Sequence, residues 1–123
     1  MTRRNLEDLT VDELVRSFVD IAHEQRKAEL HGDLRKMRAL FWRMHAVENE
    51  LRARPGDQRS ALIPLLRHGD RQVMLKAALA TLALEPRRAR TVLEALSLSG
   101  IQPQALEAGT SVWALDEGIF KPT

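Results

Sequence analysis

The chain contains no cysteine and no tyrosine, and only 4% of its residues are aromatic. Without cysteine there is no disulfide framework, no thiolate metal site and no thiol nucleophile. Without a Gly-rich loop between a strand and a helix there is no phosphate cradle. No apolar run approaches the roughly 18 residues of a membrane span, so no membrane association is expected. Arg3 and Arg4 are followed by acidic residues, not by an apolar core, so no secretory signal is read. A cytoplasmic protein is the expectation. No segment alternates apolar and polar residues between turn signals, so no strand is predicted. The net charge is only +2, too little to argue for nucleic acid from the balance alone.

At 123 residues the chain is expected to form one domain, residues 1–123, able to bury a core without staples. Apolar residues recur at helical spacing almost throughout. Thr10 and Glu13 have the spacing of a capping box, in which each residue's side chain bonds the other's backbone N–H. Leu14, Val15, Phe18, Ile21, Ala22, Gln25 and Ala28 then give a helix over 11–31, ended by Gly32. Asp33 caps a second helix over 34–54. Its expected buried stripe is Leu34, Met37, Leu40, Phe41, Met44, Val47 and Leu51, and Pro55-Gly56 stops it. A third helix, 58–67, holds Ala61, Leu62, Leu65 and Leu66, with Pro64 predicting a kink or a late start. Asp70 caps a fourth, 71–84, apolar nearly all round and so expected to be the central one. Pro86 opens a fifth, which ends before Gly100 and buries Ala89, Val92, Leu93 and Leu96. Pro103 opens a sixth with Leu106, Val112, Trp113 and Leu115 inward, closed by Gly118. Ile119 and Phe120 are expected to fold back on the core.

The predicted fold is therefore all-α: about six helices in three antiparallel pairs, 11–54, 57–84 and 86–117, stacked as an α–α superhelix. In the middle pair, Leu62, Pro64, Leu65 and Leu66, then Asp70, Val73, Ala77, Ala78 and Ala80, resemble a HEAT repeat. Met74 and Thr81 depart from it, standing where arginine and leucine are usual. The wider layout has a leading LTVDELV from Leu9, an ELRARPGD turn from Glu50, LLRHGDRQV from Leu65 and a closing LDEGIFKP from Leu115. It resembles a bacterial family of short HEAT-like proteins catalogued as a domain of unknown function. The resemblance implies a HEAT-like fold and a prokaryotic origin, and it carries no catalytic residues.

Candidate chemistry is sparse. His45 and Glu48 lie three apart on one helix, but no second copy supplies the rest of a di-metal set. His23-Glu24 lacks the second histidine of a zinc-protease motif, since Lys27 stands there. No serine sits in a nucleophile context. No catalytic residue, metal ligand or cofactor is assigned, and an enzyme is not expected. His68 is read as capping the last carbonyls of the third helix.

The second helix carries one pattern that points to binding. Arg38, Trp42, His45, Asn49 and Arg52 are spaced 4, 3, 4 and 3, so they share one side, flanking the buried stripe. A tryptophan among Arg, His and Asn has the composition of a binding hot spot. The other reading, preferred from composition alone, packs Trp42 sideways with its N–H on a carbonyl. The function these features support is a non-catalytic protein-binding module with an unidentified protein partner. The alternative is nucleic-acid-backbone binding through residues 52–90, where nine basic side chains face Asp57, Asp70 and Glu85. Apolar surface left at either end of the stack would allow a homodimer.

Overall fold

A computed structural model describes residues 5–123; Arg3 and Arg4, on which the reading against a secretory signal rests, lie outside them. Among the described residues the chain is all-helical with no strand, and no helix is long and apolar enough to cross a membrane. The helices are α1 (Val11–Leu30), α2 (Leu34–Ala53), α3 (Arg71–Thr81), α4 (Pro86–Ser99) and α5 (Gln104–Asp116), with 3-10 helices at Leu6–Asp8 and Gln58–Arg67. The chain divides into two compact units, Met1–Ala61 and Leu62–Thr123.

The first unit is built on the α1–α2 hairpin. Its start is the expected capping box: Glu13 N–H donates to Thr10 Oγ1 at 3.1 Å and Thr10 N–H to Glu13 Oε1 at 3.0 Å. Gly32 takes the left-handed conformation at φ 64°, which a side chain would resist. Asp33 then accepts from Lys36 N–H at 3.0 Å, satisfying one of the donors a helix start leaves unpaired. Leu14, Phe18, Ile21 and Ala28 of α1 and Leu40, Met44, Val47 and Leu51 of α2 are buried. Each large side chain so buried contributes about 1.5–3 kcal/mol against exposure. The expected stripe on α2 was too wide. Leu34 is 76% and Phe41 47% exposed. Leu34, like Leu30, flanks the Gly32 reversal at the exposed tip of the hairpin. Phe41 sits on the margin of the stripe and turns outward.

Arg54 closes this unit. Its Nε donates to Glu50 Oε2 at 2.7 Å, and its Nη2 donates to the carbonyls of Leu9 at 2.8 Å and Leu6 at 3.2 Å. One guanidinium thereby ties the residues before α1 to the end of α2. Next to it Asp57 stands at φ 52° and holds Arg59 through two bonds, Nε to Oδ1 at 2.9 Å and Nη2 to Oδ2 at 2.6 Å. Two parallel charge-assisted bonds are what permit the nearly buried guanidinium of Arg59.

The segment 58–67 is helical, as expected, but 3-10 and not α. Pro64 has no N–H to give a carbonyl four residues back, and its ring crowds that turn. The tighter winding runs for ten residues, longer than such helices usually persist. Leu62 and Leu66 are nonetheless buried.

In the second unit α3 packs against α4, α4 against α5, and α3 also meets α5. Asp70 caps α3 as expected, accepting from Gln72 and Val73 N–H at 2.8 and 3.1 Å. α3 buries Val73, Leu75, Ala77, Ala78 and Ala80, which suits a helix central to its unit. It ends at Thr81, short of Leu84. The Thr81 hydroxyl donates back to Ala77 O at 2.8 Å, while the N–H groups of Leu84 and Glu85 both close on Thr81 O. Such local bonding satisfies the buried hydroxyl and competes with further helix. A buried amide pair, Gln104 Nε2 to Gln72 Oε1 at 3.0 Å, links α5 to α3. Sequence reading did not foresee it. α4 opens on Pro86 and ends at Gly100 with φ 69°. In α5, Leu106 (70%) and Trp113 (56%) are exposed, contrary to expectation. Gln104, Ala105 and Ala108 define the buried side instead. The chain after Gly118 turns back, with Ile119 and Phe120 N–H both on Ala114 O. Phe120 is half-buried and Ile119 exposed.

Candidate interaction surface

On α2 the buried residues Leu40, Met44, Val47 and Leu51 use one side of the cylinder, so the opposite side must face solvent. Arg38, Trp42, His45, Asn49 and Arg52 are all exposed. Trp42 is 64% exposed, so the packed reading of this tryptophan does not hold. The rings form one cluster. Phe41 meets Trp42 edge-on at a centroid distance of 5.2 Å and His45 at 4.8 Å, while Trp42 and His45 are 6.0 Å apart. Edge-to-face contacts at these distances are favourable, and they hold three rings together on an open surface.

Phe41 is the residue sequence reading missed here, having assigned it to the core. The signal was present: Phe41 and His45 are four apart and therefore neighbours on the helix. Arg38 lies one turn before Trp42 and Arg52 beyond Asn49. Among the described residues no three His, Asp or Glu side chains are grouped to hold an ion.

The charge of α2 is one-sided. Arg35, Lys36, Arg38, Arg43 and Arg52 are exposed, whereas Glu48 and Glu50 are half-buried, and Glu50 is engaged by Arg54. Lys36 reaches Glu24 of α1 at 3.4 Å, and Lys27 reaches the same carboxylate at 3.6 Å. The hydrogen bond from Lys36 and the charge of Lys27 hold the Glu24 carboxyl below its ordinary range. Arg43 borders an open hollow of about 370 Å³ along α1, with Glu13, Arg16, Asp20 and Glu24. Its lining carries charges of both signs.

The basic stretch 52–90 is less available than its count suggests. Arg54 and Arg59 are engaged in the first unit as described above. In the second, Lys76 pairs with Glu107 at 2.7 Å, and Arg90 pairs with Asp116 at 2.8 Å and Glu94 at 3.2 Å. The hydrogen bond to Asp116 pushes the Arg90 pKa up and that from Arg90 pulls the Asp116 carboxyl down. At the turn ahead of α3, His68 Nδ1 accepts from Asp70 N–H at 3.0 Å.

A second exposed apolar surface lies on α4 and α5. Leu106 and Trp113, with Ser97, Gln102 and Thr110, line a shallow groove of about 410 Å³. It has no charged side chain in its lining, unlike the outer face of α2.

Residues 12–116 match the family described as Domain of unknown function (DUF2019). The chain belongs to this family. It is also similar to the crystal structure of the protein RPA1889 from Rhodopseudomonas palustris CGA009. The two share 40% sequence identity and superpose with a TM-score of 0.93, over 98% of this chain and 100% of that one. No curated protein matches the chain. The structural match agrees with the fold described above, and the DUF2019 assignment names no chemistry for any residue.

Proposed function

We propose that this DUF2019 protein is a non-catalytic protein-binding module, with the outer face of α2 as its contact surface. The observation that carries this reading is the exposed ring cluster Phe41–Trp42–His45, bordered by Arg38, Asn49 and Arg52. Beyond these ring contacts, a monomer gains little in stability from holding a tryptophan mostly in water. Trp, Tyr and Arg are the side chains that dominate binding energy at interfaces, because they bury large areas at modest entropic cost. The ring contacts pre-order the cluster, so less freedom remains to be lost on binding. A HEAT-like arrangement of helices, suggested by the pattern of the middle segment, would suit such a role.

Nucleic-acid binding through residues 52–90 is the weaker reading, since Arg54, Arg59, Lys76 and Arg90 already have carboxylate partners. The test is affinity capture from the native cell extract with wild-type and Trp42→Ala protein in parallel, eluted at low and high salt. A protein retained by the wild type at high salt and lost from the variant supports the module. The same retention by both removes α2 as the contact surface. Nucleic acid released by salt from both would favour the second reading, because phosphate contacts weaken steeply with salt.

A further inference from the structure

The chemistry of α2 also says what kind of partner would fit. We propose that the outer face of α2 receives an acidic linear segment of a partner protein, an apolar side chain of which seats on Phe41, Trp42 and His45 while its carboxylates reach Arg38 and Arg52. This rests on the reading of α2 as a contact surface and adds the partner's charge and layout to it.

Charge complementarity carries the inference. Every charged side chain that α2 leaves exposed is basic. Its two glutamates are half-buried at the margin, one of them held by Arg54. Lys36 and Arg43 lie towards the acidic groups of α1. Arg35, Arg38 and Arg52 lie on the side of the rings. On the ring side a basic partner would meet Arg35, Arg38 and Arg52 and no exposed carboxylate of this helix. An acidic one would find bidentate guanidinium partners on either side of an apolar platform.

Helix geometry sets the spacing. At 1.5 Å rise per residue, Arg38 lies about 6 Å before Trp42 along the axis and Arg52 about 15 Å beyond it. An extended peptide advances about 3.3 Å per residue. Its carboxylates therefore belong about two residues to one side of the apolar anchor and about four or five to the other. A partner helix lying alongside would need intervals of about four and ten.

The experiment is a selection of random peptides of about 15 residues displayed against the purified full chain. Enriched peptides are then titrated by the fluorescence of Trp42 in a Trp113→Phe background. The expected peptides carry an aromatic or large aliphatic anchor with Asp or Glu at one of the two interval sets. Trp42→Ala, which removes the probe, is followed instead with labelled peptide, and should weaken binding about tenfold or more. Arg38→Glu with Arg52→Glu should weaken the acidic peptide similarly and restore binding to a copy with Lys in place of its acids. Both positions are exposed, so far-UV circular dichroism of the variant should match wild type.

Enrichment of neutral or basic peptides, or of none, overturns the proposal, as does tighter Trp42-dependent binding of an oligothymidylate. If Trp42→Ala weakens binding but charge reversal does not, the surface stands and its acidic partner falls. If selected peptides ignore Trp42→Ala, the α2 surface itself falls.

Discussion

Replacing Gln104 by methionine should cost more than the loss of one neutral hydrogen bond would suggest, and replacing Gln72 as well should return part of that cost. Gln72 and Gln104 are 4% and 5% exposed, and Gln104 Nε2 donates to Gln72 Oε1 at 3.0 Å. In Gln104→Met the Gln72 oxygen loses this donor in a site water hardly reaches. The desolvation cost of a buried polar group deprived of its partner is about 1–3 kcal/mol. Gln72→Met imposes a similar cost on the Gln104 amide. Independent effects would sum to about 2–6 kcal/mol, whereas the double variant leaves neither half of the pair behind. It should be less destabilised than the sum by about 1–2 kcal/mol. At this chain length 1 kcal/mol corresponds to about 4 °C in Tm. The assay is urea unfolding followed by Trp113 fluorescence in a Trp42→Phe background. Trp113 lies on α5, in the same compact unit as the pair. Strict additivity of the two substitutions would refute the coupling, and a double variant worse than the sum would reverse its sign.

Four other outcomes follow from the same physics. Phe18→Ala, at a site with no exposure, should destabilise the first unit by about 3–5 kcal/mol through lost burial and the cavity left behind; denaturation followed by Trp42 fluorescence reads it. Arg54→Ala should cost about 2 kcal/mol, since a charged donor to Glu50 and to the Leu6 and Leu9 carbonyls is lost at a partly exposed site; earlier amide exchange in the first turn of α1 would accompany it. The hydrogen bond from Arg59 holds the Asp57 carboxyl below its ordinary range. Its contribution is therefore complete above about pH 4 and lost as pH falls through the lowered folded value. Asp57→Asn, which keeps a residue tolerant of positive φ, should flatten the acid limb of the stability profile below that pH. An unchanged limb would show that the pair contributes nothing. Gly100→Ala forces a side chain into the left-handed region at φ 69° and should cost about 1–2 kcal/mol by thermal denaturation.

Where local chemistry decides the structure, the sequence could be read closely. The Thr10–Glu13 box, the Asp33 and Asp70 caps, Pro86 at the start of α4 and the left-handed Gly32 and Gly100 all lie where expected. Each needs only a few neighbouring residues. What escaped reading depended on residues distant in sequence. Phe41, Leu106 and Trp113 continue apolar stripes, and periodicity cannot say which margin of a stripe has a helix opposite it. The Gln72–Gln104 pair spans two helices and leaves no local trace. Arg54 looked like one more member of a basic stretch until its acceptors at Leu6 and Leu9 were placed beside it. Pro64 announced an irregular helix, though not that the whole segment would wind as 3-10. In the candidate surface the helical spacing grouped Arg38, Trp42, His45, Asn49 and Arg52, all exposed, and it omitted the third ring.

The proposed module requires a protein partner on the outer face of α2. The measurement that tests it most directly is site-specific photocrosslinking in the native cell. Benzoylphenylalanine is placed at Ala46, exposed one turn beyond Trp42, and in a control at Thr91, exposed on α4. A partner seated on α2 gives a discrete protein adduct from position 46 that disappears in the Trp42→Ala background and is absent from position 91. The same adducts from both positions, or an adduct at 46 indifferent to Trp42, would contradict it.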